Sequence, residues 1–311
     1  MTTVGACDGT VALVTGASRG IGKAIATRLA AEGAAVAICS RPTPGLAQLG
    51  TLDAARDELA ALGGRVVAIP FDLADPAADR AALVDAVEAE LGPLDILVNN
   101  AAAGGYRPFL EWTDAQIATN LEVNFWAPWH LTRRVLPGML ERGAGWICNL
   151  SSVAARAPQG PPFPGTAPAR VGTIYGGTKA MLDRWTVSLA VECYGRGVAV
   201  NTLAPEAAAR TEALVEFATL PEHLYEPLDT MAEAALALCT ADPATLTGQV
   251  TTSLQLLVDL DRPVHDLTGR TLLAEWQPAR LPPRIAEMLR HQAGATTSGP
   301  TGIEDVTNRG R

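Results

Sequence analysis

The chain has 311 residues, 48% of them hydrophobic and 18% charged, ample for a large core and unlike a disordered protein. A formal net charge of −9 argues against general binding to nucleic acid or to an anionic membrane. Five scattered cysteines with no CxxC pair, and four histidines without metal-ligand spacing, predict a reduced, cytoplasmic protein that holds no metal. No signal peptide opens the sequence and no apolar run is long enough to span a bilayer, so no membrane partner is expected.

Residues 10–15 (TVALVT) form a short apolar, β-prone run, read as a buried strand. Gly16-Ala17-Ser18-Arg19-Gly20-Ile21-Gly22 follows, then a helical stretch to about residue 31. Strand, glycine turn and helix in that order is how a doubly wound sheet holds a dinucleotide. Glycines let the backbone approach the pyrophosphate, and the free N–H groups and positive dipole end of the helix attract it. A tight left-handed connection is the plainer use of such a turn; the strand before and the helix after favour the cofactor.

Residues 35–39 read as the second strand, ending at Ser40-Arg41. An NAD site of this type places an acidic residue near the end of this strand, on the ribose 2′-hydroxyl, and none stands there. Arg41, helped by Arg19, suits a 2′-phosphate instead, because guanidinium groups bind phosphate bidentately. NADP(H) is therefore expected over NAD(H), with two solvated arginines as the bland alternative.

A Pro/Gly-containing loop over 42–52 leads to a helix from Asp53 and a strand over 65–71. Asp72-Leu73 lies past that strand's C-terminal end, the edge where such sheets bind ligands; Asp72 there either faces adenine or caps a turn. A helix over 76–91 starts at Pro76, and a strand over 94–98 ends at Asn99-Asn100-Ala101. Asn is a turn former by type, and its place at a strand end gives Asn100 a cofactor role. A long helix over 113–136, capped by Thr113 or Asp114, encloses Asn124, a mediocre helix former. A strand over 144–150 runs into Ser151-Ser152, and a segment dense in Pro and Gly, 157–169, follows.

The next helix, to about residue 194, opens with Tyr175-Gly176-Gly177-Thr178-Lys179. Tyr and Lys four apart share one helix face. An ammonium beside a phenol draws the phenol's pKa down from about 10, which suits general acid–base work on an alcohol or a ketone. The chain has 22 arginines but only two lysines, Lys23 and Lys179, and four tyrosines. A lysine here marks a role that arginine cannot fill; a surface lysine near a packed tyrosine is the alternative. A strand over 198–203, a helix over 231–239, a strand-like run over 249–258 and a short helix over 281–291 complete the pattern. Alternating strands and helices predict one α/β domain over residues 1–292, a doubly wound parallel sheet covered on both faces. An extension begins at about 255, and residues 293–311 read as a flexible tail.

TGASRGIG at 15–22, DL at 72–73, NNA at 99–101, Asn124, Ser152, and Tyr175 with Lys179 stand in the order found in the short-chain dehydrogenase/reductase family. The sequence from residue 8 to about 255 resembles the short single-domain branch of that family. The resemblance implies interconversion of a carbonyl compound and an alcohol by a nicotinamide cofactor. Tyr175 would be the general acid for reduction and the base for oxidation. Lys179 would lower its pKa and hold the nicotinamide ribose. Ser152, chosen over Ser151 by the family pattern, would hydrogen-bond the substrate oxygen as charge develops. Asn124 would hold a water linking Lys179 to solvent. The cofactor would lie against Gly16, Ser18, Arg19, Gly20, Ile21, Gly22, Arg41, Asp72, Leu73 and Asn100, with Tyr175 and Lys179. Family members pair through the long helices, implying a homodimer or homotetramer. Phe109, Trp112 and Phe163 suggest an apolar substrate. A catalytically silent, nicotinamide-binding regulatory protein is the alternative, because fold does not fix function.

The sequence departs from the family pattern at four places. Ala102 takes a usual glycine place. The stretch from Ser152 to Tyr175 is longer than usual around 158–170, forming a substrate lid or a neutral excursion. Pro205-Glu206 replaces Pro-Gly, with Thr211 one place late for the nicotinamide contact. The chain also continues past the usual end, to wrap a neighbouring subunit or to close the pocket.

Overall fold

The computed structural model describes residues 5–42, 50–158, 160, 161, 163, 172–212, 225–283, 285 and 286. β1 (Val11–Thr15) is buried along its whole length, which is why it reads as an unbroken apolar run rather than an alternation. The glycine turn and α1 (Gly20–Ala31) follow it, then β2 (Ala35–Ser40), α2 (Leu52–Ala60), β3 (Val66–Pro70), α3 (Arg80–Leu91) and β4 (Ile96–Asn99). The second half contributes α4 (Asp114–Leu121), α5 (Ala127–Arg142), β5 (Gly145–Leu150), α6 (Thr173–Cys193), β6 (Val198–Ala204), a two-residue β7 (Ala208–Ala209) and β8 (Tyr225–Glu226). It ends with α7 (Leu228–Thr240), β9 (Val250–Thr252) and α8 (Ser253–Asp259).

Seven strands pair in parallel in the order β3-β2-β1-β4-β5-β6-β9. Val14 stands between Ile38 of β2 and Val98 of β4. Strand order reverses at β1, and the crevice at its C-terminal end is where a sheet of this kind admits a ligand. Ile25, Leu29, Leu59, Met231 and Leu236 cover one face of the sheet; Leu83, Val87, Leu131, Val135 and Ala190 cover the other. All five cysteines are buried and free. Among the described residues no helix is long and apolar enough to cross a membrane, and no cluster of His, Cys, Asp and Glu could hold a metal.

Three elements differ from the sequence reading. The helix expected at Pro76 starts at Arg80, because the Asp79 carboxylate accepts from Ala81 N and Ala82 N and sets the cap there. The run over 249–258 divides into β9 and α8: β-branched Val250-Thr251-Thr252 stays extended, and the leucine-rich remainder buries Leu254, Leu256 and Leu257 as a helix. The long helix expected over 113–136 begins on a Thr113–Gln116 capping box, but a π-helical turn, Glu122–Trp126, interrupts it. Pro128 explains the turn: it has no N–H for the carbonyl of Asn124, and its ring pushes that carbonyl aside.

Ala102 carries no strain, since Asp261 is the sole non-glycine residue at positive φ among those described. Past α8 the described chain folds back on its own subunit. Val264 and Ile285 are buried, with Leu273, Trp276 and Leu281 packed on the core of α1 and α7. Glu233 of α7, 2% exposed, accepts from Arg262 Nε at 2.7 Å and from Arg28 Nη2 at 3.2 Å. Arg28 belongs to the last turn of α1, the end opposite the glycine turn. Most of segment 157–170, most of the helix expected over 281–291 and the tail from 293 lie outside the described residues.

Candidate active site

A cleft of about 440 Å³ opens at the C-terminal edge of β1, β2 and β4. Gly16, Ser18, Arg19, Gly20, Ile21, Gly22, Arg41, Asp72, Leu73 and Asn100 all line it. Gly16 has φ +65°, and a Cβ at Gly22 would stand 2.3 Å from Asn100 Nδ2, so both positions require glycine. Asn100 braces this turn: Nδ2 donates to the Thr15 and Gly16 carbonyls at 2.8 and 3.1 Å. Thr15 Oγ1 accepts from Asn100 N and Ala101 N, both at 3.0 Å. The side chain expected to touch cofactor thus holds the loop that lines the cleft. Asp72 accepts from Ala74 N at 2.9 Å; it caps a turn while lining the same cleft.

Two features of the cleft fit a dinucleotide. Arg19, the N-cap residue of α1, makes no capping bond with its side chain and the first turn holds no acidic residue, so the helix start offers its N–H groups to the cleft as an anion site, with Gly20 N taken by Glu212 from a distant part of the chain. Arg19 Nη1 is buried and, among the described residues, without a hydrogen-bond partner. Arg41 follows the end of β2 on the cleft wall. Thr211 lines the cleft despite its displaced sequence position. Glu206, which replaces the usual glycine, turns inward: it is 4% exposed and accepts from Thr252 Oγ1.

Ala103 and Val123, on either side of Asn124's contacts, also line the cleft. Asn124 is fully buried in the π-helical turn. Its Oδ1 accepts from Ala103 N at 2.8 Å, and its Nδ2 donates to Ala103 O at 2.8 Å and Thr178 Oγ1 at 3.0 Å. The side chain therefore clamps the loop after β4 onto α6. Thr178 Oγ1 donates in turn to the Tyr175 carbonyl at 2.8 Å.

Ser152 follows β5 and lies beside the Tyr175 phenol. Ser151 is instead buried near the Asp183 carboxyl, its Oγ without a hydrogen-bond partner among the described residues, a distinction that sequence alone leaves open. Lys179 is buried, and its Nζ donates to Leu150 O at 2.6 Å, standing 5.9 Å from the Tyr175 ring centroid. The expected depression of the Tyr175 pKa is absent. Burial raises this phenol above its ordinary value, the Ser152 hydroxyl opposes the shift, and neighbouring Tyr106 adds to it. Burial also lowers the Lys179 ammonium to about 8, against the attraction of Asp183. The ammonium bonds a carbonyl rather than the phenol, so Tyr175 stays protonated at neutral pH.

Sequence reasoning missed two residues here. Tyr106 packs edge-on against Tyr175, with ring centroids 5.8 Å apart and planes at 62°. Its rarity was a usable signal, since it is one of four tyrosines and lies just past the β4 edge. Glu212 Oε2 accepts from Gly20 N, a contact between residues 192 apart that no local pattern announces.

A doubly wound sheet, a glycine turn under a helix N-terminus, and a neighbouring Ser152, Tyr175 and Lys179 fit a dinucleotide-binding oxidoreductase. The short chain dehydrogenase family model matches residues 10–219, and the chain belongs to this family. Ketoacyl reductase HetN of Nostoc sp. is 37% identical over 208 residues, 67% of each chain. A 3-oxoacyl (acyl-carrier-protein) reductase from Agrobacterium tumefaciens C58 with NADP bound superposes with a TM-score of 0.65 at 30% identity, covering 79% of this chain and 93% of that one. A 7α-hydroxysteroid dehydrogenase complexed with NADH and 7-oxo glycochenodeoxycholic acid gives a TM-score of 0.66 at 31% identity, with 79% and 93% covered.

Proposed function

We propose that the protein interconverts a ketone or aldehyde and an alcohol, using NADP(H), with Tyr175 as general acid and base. The observation that carries this reading is the Ser152 hydroxyl beside the Tyr175 phenol on α6, the helix that Asn124 ties to Ala103 of the cleft wall. Gly16, Gly20, Gly22 and the start of α1 would hold the pyrophosphate, and Arg19 with Arg41 the 2′-phosphate. The nicotinamide supplies or accepts the hydride. Ser152 donates to the reacting oxygen, and Tyr175 passes its proton to that oxygen in reduction and takes it back in oxidation. Lys179, 5.9 Å from the Tyr175 ring, supplies fixed positive charge. Asn124 holds the loop and α6 in register around the pair.

An apolar substrate is supported by Tyr106, Phe109 and Leu110, exposed on the loop after β4. The steroid held by one structural neighbour agrees with this reading. Turnover of NADPH with a panel of apolar ketones, for the protein and for Tyr175→Phe, tests the proposal. Full activity in the variant removes Tyr175 from the mechanism. Tight cofactor binding with no hydride transfer to any ketone points to the regulatory alternative. Arg41→Asp should weaken NADPH and spare NADH; an unchanged preference removes Arg41 from the phosphate site. We also propose that two copies associate through α5 and α6. Trp126 and Trp129 are 43% and 40% exposed there, and the Trp129 ring lies 5.9 Å from that of Trp185.

A further inference from the structure

We propose that Asn149 is a positioning residue that fixes α6 against the end of β5, and with it the place of the Lys179 ammonium; this rests on the reading of Lys179 given above. The ammonium is held by the strand that precedes Ser152, since Nζ donates to Leu150 O at 2.6 Å. That carbonyl belongs to the last residue of β5, directly after Asn149. The Asn149 side chain is fully buried and ties the same strand to the same helix, its Nδ2 donating to Thr186 Oγ1 at 2.9 Å. Lys179 and Thr186 stand in the i, i+7 relation, so both lie on the buried face of α6. The strand end thus meets the helix at two tethers, a short one at Thr186 and a long one through the lysine stem. The short tether sets the spacing that the long one must bridge.

Asn99 sets the orientation of this amide. An asparagine side chain has an acceptor at one end and two donor hydrogens at the other. Asn99 of β4 is the register partner of Asn149, and its Nδ2 donates to Asn149 Oδ1 at 2.8 Å. The acceptor end is taken, so the donor end is the one presented to Thr186. An apolar residue would fill this core position; a buried amide costs desolvation unless it is bonded, and the bonds to β4 and α6 offset that cost. The Asn-Asn-Ala run therefore divides its work. Asn100 braces the glycine turn, while Asn99 orients the strut to the helix that carries Tyr175 and Lys179. Two ionisable groups face the ammonium from α6 itself, the Tyr175 phenol one turn before it and the Asp183 carboxyl one turn after. Leu150 O is its hydrogen-bond acceptor among the described residues, so the β5–α6 spacing decides how well the buried charge is held.

The chain's two lysines make the test direct: isotope-labelled lysine gives one side-chain magnetic-resonance signal for Lys179 and one for Lys23 as an internal reference. Thr186→Val keeps the shape of the helix face and removes the acceptor for Asn149, whereas Thr186→Ser keeps that acceptor. In the valine variant the Lys179 titration midpoint should fall by about half a unit to one unit, because the charged amine loses part of its bond to Leu150 O while staying buried. The Lys23 signal should not move. kcat for alcohol oxidation should drop roughly two- to tenfold, the range for one neutral hydrogen bond, with KM for the alcohol nearly constant. Thr186→Ser should match the parent in both measurements. A Lys179 midpoint unmoved in Thr186→Val, whatever happens to the melting temperature, overturns the proposal, as does a serine variant no better than the valine one. Full activity in Tyr175→Phe would sink the wider mechanism instead, and the lysine titration would still decide whether the Asn149 strut places Lys179.

Discussion

Glu212 Oε2 takes the Gly20 N–H at 3.1 Å, so a side chain from beyond β7 occupies the anion site at the start of α1. A phosphate seeking the same N–H meets a carboxylate of like charge there. Glu212→Gln keeps the shape and removes the charge. It should tighten NADPH binding roughly two- to fivefold, the range for one charge at a helix end. Calorimetric titration of both proteins measures this, and equal or weaker binding by the variant would show that Glu212 does not compete.

Tyr175 gives a pH signature with opposite signs for the two directions. Its phenol is raised by burial, so the acid form persists through neutral pH. Ketone reduction should hold steady there and fall as pH climbs through the phenol's pKa. Alcohol oxidation needs the phenolate and should climb over the same interval. Tyr175→Phe should lower kcat about 10²- to 10⁴-fold and flatten both profiles. Identical profiles in the two directions would contradict the assignment.

The β1 turn was legible in the sequence because its signals are local: an apolar run, then glycines at fixed spacing, then a helix. Tyr175 and Lys179 were legible from a four-residue interval in a lysine-poor chain. Their electrostatics were not, because the sequence does not show that Leu150 O takes the ammonium or that burial outweighs the charge. The π-helical turn had a visible cause in Pro128, but an apparently continuous helical pattern masked it. Tyr106 and Glu212 reach the site through long-range packing, which periodicity does not report.

Asn124 joins the loop after β4 to α6 through three hydrogen bonds. Asn124→Ala would leave both polar groups of the Ala103 backbone without their partner. Stability should drop by about 2–4 kcal/mol, at roughly 1–2 for each half-buried group left unpaired. Denaturant unfolding measures the loss, and a change within error would mean that water replaces the side chain.

Glu226 is buried against Glu206, Ser253 and β7. Burial raises its carboxyl to about 8, with the Glu206 charge adding to the shift and the Ser253 hydrogen bond opposing it. A folded pKa above the unfolded one means that the native protein holds a proton which the unfolded chain has released. Stability from this group is full below the unfolded value near 4.5 and is lost as pH rises towards about 8. Glu226→Gln should therefore melt higher relative to the parent at about pH 8 than at about pH 5. Parallel melting curves across that window would refute this.

Trp126 at the end of the π-helical turn, Trp129 of α5 and Trp185 of α6 leave an aromatic strip. Trp129→Arg should halve the mass seen by light scattering while preserving cofactor binding. An unchanged mass would place the subunit contact elsewhere.

The Arg28–Glu233–Arg262 junction lies at the far rim of the sheet, away from every group that handles hydride or proton. Durability and cofactor binding would then be governed at opposite ends of one helix. Glu233→Gln should lower the melting temperature, because it removes the buried charge that Arg28 and Arg262 share, yet leave turnover at moderate temperature as it was. With that outcome the addition beyond α8 would be a thermal ballast, a place where the chain can be tuned for endurance without touching what it reacts with.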